Sequence, residues 1–146
     1  MRAFRCILPA VCSVMLLVLL AGIWGSARAQ QSTEQIAQQS AEAWLARVDS
    51  GEYAESWQQA SSLFKSHVSK DDWSKMLKAT LGPLGKNTSR TLKSARYTTT
   101  LPGVPDGRYV VIQYESSFEH KQSAIETITP MLDKDGLWHV SGYYIK

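Results

Sequence analysis

Apolar positions follow three different rules in succession along the chain. From Ile7 to Trp24 they are almost continuous, with Ser13 the main interruption and Val14 to Ala21 the dense centre. From Thr33 to Leu81 they recur every three or four residues, the spacing of one helix face. From Ser89 to Ile145 they alternate with polar residues, as in strands that bury one side.

The helical stretch divides into three. Thr33 to Val48 places Ala37, Ala41, Trp44, Leu45 and Val48 on one stripe, and Asp49-Ser50-Gly51 stops it. A shorter helix carries Tyr53, Ala54, Trp57 and Ala60 on one face. A third begins after Ser69, with Asp72 in the position of a capping-box acid and Val68 and Trp73 flanking the cap as a hydrophobic staple. Trp73, Met76, Leu77, Thr80 and Leu81 line it. Gly82-Pro83 ends it, because proline disfavours helical geometry in the residue before it.

Four strands follow. Ser89 to Leu101 is rich in threonine, and the cluster Pro102 to Gly107 turns the chain. Tyr109 to Phe118 puts Val110, Ile112, Tyr114 and Phe118 on one face. Residues 120–123 make a polar connection to a third strand, Ala124 to Leu132. Asp133-Lys134-Asp135-Gly136 is a hairpin turn. Leu137 to Ile145 then sets Trp138, Val140, Gly142 and Tyr144 against His139, Ser141 and Tyr143. Helices followed by strands predict an α+β domain, about three N-terminal helices packed on a curved antiparallel sheet of about four strands.

The first apolar run is an address. Arg2 and Arg5 precede it without an acid, and Ala27-Arg28-Ala29 closes it in the small-x-small manner of a signal peptidase site. Residues 1–29 therefore read as a signal peptide cleaved after Ala29, and residues 30–146 as a single α+β domain, periplasmic or secreted. The alternative is a retained anchor, since roughly 18 apolar residues can span a bilayer; Pro9 and the Ala27/Ala29 pair oppose it. Ile23 stands where a lipoprotein would need its acylated cysteine. The membrane is then met only through the segment before cleavage.

Cleavage changes the charge and the chemistry. Cys6 and Cys12 leave with the leader, so the remaining domain has no disulfide or thiolate. Arg2, Arg5 and Arg28 leave too, and thirteen basic residues face thirteen acidic ones. A neutral domain lacks the cationic excess that a nucleic-acid partner requires. His67, His120 and His139 show no metal-ligand spacing. Asp133 and Asp135 echo a calcium loop without its later ligands. No phosphate-binding glycine loop or GxSxG occurs. No metal and no cofactor are expected.

Four tryptophans remain in the domain: Trp44, Trp57, Trp73 and Trp138. Each falls on the apolar side of its element, where such rings build a core or wall a pocket. Glu126 shares its face with Ala124 and Ile128. An inward carboxylate there would be pushed up by desolvation and could act as a general base, with Tyr114 as the polarising group; the structural alternative is an ion pair with Lys121, Arg90 or Arg96. Trp57, Tyr114, Glu126 and Trp138 form the candidate ligand-binding set.

Several blocks together resemble a known family. They are Trp44 with Val48-Asp49-Ser50-Gly51 and Tyr53, Ser56-Trp57, Phe64-Lys65, Trp73, Pro83-Leu84-Gly85, Arg90, Pro105-Asp106-Gly107 with Tyr109, Phe118 with Lys121, Glu126, and the closing Asp135-Gly136, Trp138, Val140 and Gly142-Tyr143. This resembles the bacterial exported family called domain of unknown function 4019. The resemblance covers nearly the whole domain and implies an exported α+β protein of unassigned activity, with no catalytic residues to carry over. The plan also looks like a nuclear-transport-factor-2-like cone, in which helices and a curved sheet enclose a pocket; enzymes and binders share that architecture. The leading expectation is a non-catalytic module for an unknown protein or a small apolar ligand. The alternatives are a cofactor-independent isomerase or dehydratase using Glu126, and a subunit of a cell-envelope assembly.

Overall fold

Four helices precede four strands in the computed structural model, which describes residues 31–146. The proposed signal segment lies outside the described residues. The helices are α1 (Thr33–Asp49), α2 (Tyr53–Gln58), α3 (Ser62–His67) and α4 (Lys70–Leu81). The strands are β1 (Asn87–Thr98), β2 (Tyr109–Phe118), β3 (Lys121–Leu132) and β4 (Trp138–Ile145). They form one antiparallel sheet in the order β1-β2-β3-β4, each strand paired with its neighbour in sequence. The fold is α+β, and no helix among the described residues is long and apolar enough to cross a membrane.

Local chemistry places the helix ends. Ser32 and Gln35 form a capping box at the start of α1. At its other end Gly51 takes φ +77°. That left-handed turn lets Gly51 N–H reach Val48 O and Glu52 N–H reach Arg47 O, the paired bonds that close a helix on glycine. Ser69 caps α4 by accepting from Asp72 N–H, but the Asp72 carboxylate accepts from the Ser69 hydroxyl rather than from its backbone. Only half of the anticipated box therefore forms.

The extra helix is α3. Its first turn is held by Ser61, which accepts from Phe64 N–H, and by Asp133 from the β3–β4 turn, which accepts from both Ser62 N–H and the Ser62 hydroxyl. A six-residue helix has too little hydrogen bonding to stand alone. A cap from a residue distant in sequence explains why periodicity does not find it.

Helix α1 lies against all four strands, α2 packs on α1 and α4, and α3 on β4. The core fills the space between. Its centre is a ring cluster in which Trp73 stands 5.8 Å from Trp44 and 4.9 Å from Phe64, the latter edge to face. Val110, Ile112, Ile128 and Val140 supply the sheet side. Three expected core positions differ, Thr80 of α4 being exposed along with two others. Ala54 is exposed while Ser56 is buried, because the short α2 turns Ser56 toward the indoles; Met76 is 47% exposed on the outer side of α4.

The main departure is in β4. Thr129 pairs with Gly142 and Pro130 with Val140, so Ser141 is an extra residue bulged out of the ladder. Its hydroxyl donates to Thr129 O. Proline has no N–H to give a ladder, and it sits at the interruption. Beyond the bulge the alternation inverts: Tyr143 and Ile145 pack on the core, and Tyr144 is 61% exposed. The expected inward face of Gly142 and Tyr144 is thus corrected by one inserted residue.

Candidate functional site

Glu126 sits in the middle of β3, opposite Tyr114 of β2 and Ile145 of β4. It shares its buried face with Ala124 and Ile128, and none of its surface reaches solvent. A carboxylate has about four lone-pair directions, and all four are used. Oε1 accepts from Arg90 Nη2 at 3.1 Å and from the Tyr143 hydroxyl at 2.6 Å. Oε2 accepts from Arg90 Nε at 2.6 Å and from the Ser116 hydroxyl. Arg90 turns its remaining edge to Asp49 at the end of α1, at 2.7 and 3.0 Å. An acid at a helix C-terminus is unfavourable against the macrodipole, and Arg90 offsets it.

The electrostatics follow from these contacts. Burial pushes the Glu126 carboxyl up, but hydrogen bonds from Arg90, Ser116 and Tyr143, with the charge of Arg90, outweigh it and hold the group below its ordinary value. Burial likewise opposes the Arg90 charge, and bonds to Asp49 and Glu126 more than restore it. The Tyr143 hydroxyl is pushed up by its own burial and then by the charge of Glu126. The expected rise of the Glu126 pKa is therefore replaced by a fall, because a bidentate cation meets the carboxylate. Of the ion-pair partners considered, Arg90 is the one in contact.

The other sequence candidates separate. Tyr114 neighbours Glu126 across the ladder but sends its hydroxyl to Glu42 of α1 at 3.3 Å, and burial and that carboxylate raise its pKa. The Trp57 indole N–H donates to Val68 O at 2.7 Å, tying α2 to the start of α4. Trp44 and Trp73 donate to the backbone oxygen and the hydroxyl of Ser56. Of the candidate set Trp57, Tyr114, Glu126 and Trp138, Trp138 is the one that lines a cleft.

That cleft, 520 Å³, lies between α1 and the β3–β4 hairpin. Ile36, Ala43 and Trp44 form one wall, Leu137, Trp138 and Val140 the other. Ile36 is 42% and Leu137 60% exposed. Ser40 and His139 at its rim are engaged within the protein. The Ser40 hydroxyl donates to Trp138 O, and the His139 ring nitrogens face Gln59 O at 3.0 Å and Asp135 Oδ2 at 2.8 Å. No group of three or more metal-ligating side chains occurs among the described residues.

A family model for proteins of unknown function, DUF4019, matches residues 40–143. The chain belongs to that family. The DUF4019 match runs from within α1 to Tyr143, so it takes in Asp49, Arg90, Ser116, Glu126 and Tyr143, and most of the cleft; Ile36 and Gln39 lie ahead of it. No curated protein matches the chain.

Sequence reasoning passed over Ser116, Tyr143, Ile36 and Leu137. Ser116 carried a signal, a polar residue on the apolar phase between Tyr114 and Phe118. Tyr143 carried none, since only the bulge turns it inward.

Proposed function

We propose that this DUF4019 protein is an exported, non-catalytic binding module that holds a small apolar ligand in the cleft between α1 and the β3–β4 hairpin. The observation that carries the reading is the cleft itself, a concave and largely apolar surface. Such concavities, apolar with few polar groups, are the usual form of ligand sites. The state of Glu126 supports the non-catalytic part. A general base needs a lone pair within reach of substrate, and this carboxylate is sealed, neutralised and fully bonded. The leader pattern of residues 1–29 supports export.

The test uses the neutral fluorescent probe N-phenyl-1-naphthylamine, titrated into the purified protein. Binding at the cleft predicts fluorescence enhancement that Leu137→Glu weakens at least about tenfold, since it places a charge on the apolar wall. Equal binding by the two proteins, with unchanged circular dichroism, would overturn the assignment.

A further inference from the structure

Ile36 and Trp138 belong to the wall of the apolar cleft. Both residues also line a second recess of 340 Å³, completed by Thr33, Glu34, Tyr97, Arg108 and Leu132. The two compartments differ in what their polar groups are doing. In the first, Ser40, Trp44 and His139 are bonded within the protein. In the second, the Arg108 guanidinium and the Tyr97 and Thr33 hydroxyls make no side-chain hydrogen bond or ion pair among the described residues. A largely apolar compartment thus adjoins one with three unused donors, one of them cationic.

We infer that the site takes an anionic amphiphile, its apolar body against Ile36, Leu137 and Trp138 and its head group on Arg108 and Tyr97. This rests on the cleft being a ligand site and names the class of ligand. Charge complementarity selects the head. A neutral head group leaves Arg108 to water, whereas a carboxylate or phosphate gains charge-assisted bonds from it. The first turn of α1 borders the recess and adds the positive end of its dipole. Glu34 on the same wall opposes an anion, so its neutralisation tightens binding.

Decanoate and 1-decanol, alike in the apolar body and different in the head, decide it. Each is titrated against the naphthylamine complex of the wild-type protein and of Arg108→Gln, at a pH where decanoate is ionised. Decanoate is expected to compete about tenfold better than decanol. Arg108→Gln should remove that advantage and leave decanol unchanged, high salt should shrink it, and Glu34→Gln should enlarge it. Equal competition by the two ligands, or an Arg108→Gln effect shared by decanol, would overturn the head-group assignment while the apolar cleft stands. Failure of the naphthylamine itself to bind is the separate result that removes the cleft and this inference with it.

Discussion

Without Arg90, Glu126 would be the most costly side chain in the sheet to bury. An isolated carboxylate in an apolar interior loses its hydration and gains nothing. Here one guanidinium bridges it to Asp49, and two hydroxyls complete its shell. Removing one partner of such a pair typically costs about 3–5 kcal/mol. Arg90→Met is expected to lose that much stability at neutral pH, measured by urea unfolding. The pH dependence has a definite sign. In the wild type the folded carboxyl lies below its ordinary value, so its contribution is present above the unfolded pKa and is lost as pH falls through the folded one. In Arg90→Met burial is opposed only by the Ser116 and Tyr143 hydroxyls, so the carboxyl rises relative to the wild type, and the penalty is greatest at neutral pH and is relieved as the group protonates on acidification. The two stability curves should converge toward low pH; a constant gap would show that Arg90 acts through packing alone. The position of Glu126 was legible from alternation. Its partner was only one of three cations that could be named, because pairing depends on strand register, which one-dimensional patterning leaves open.

At the scale of elements, a single inserted residue decides which tyrosine enters the core. The Ser141 bulge inverts the phase of β4, so Tyr143 reaches Glu126 while Tyr144 faces water. A hydrogen bond to a charged group is worth about 1.5–3 kcal/mol. Tyr143→Phe should cost that much, whereas Tyr144→Phe should stay within about 0.5 kcal/mol. Equal effects in thermal or urea unfolding would refute the inverted phase. The strand itself was readable from sequence, as were β2 and the α1 and α4 boundaries, because strong periodicity and local caps act within a few residues. The bulge and α3 were not. Both are stabilised by contacts between segments far apart in sequence: Ser141 with Thr129, and Ser62 with Asp133.

For the whole molecule, the proposed leader bears most on net charge and thiol chemistry. Cleavage after Ala29 would remove both cysteines and three arginines, leaving a neutral, thiol-free domain stabilised by apolar burial. Intact mass of the protein recovered from the cell envelope is expected to match a chain beginning at Gln30, unreactive to thiol reagents. A mass including Cys6 and Cys12 would establish a retained anchor instead.

The sequence by itself determined the α+β class, the helix ends set by serine caps and Gly51, and the inward position of Glu126. These depend on periodicity and on atoms close along the chain. Tertiary structure alone decided that Glu126 is a bonded anion and not a free base, that Trp57 and Tyr114 are tied into the interior, and that Leu137 and Trp138 meet Ile36 across a cleft. Each of those outcomes depends on register and on the packing of α1 over the sheet, where partners are chosen by proximity in space.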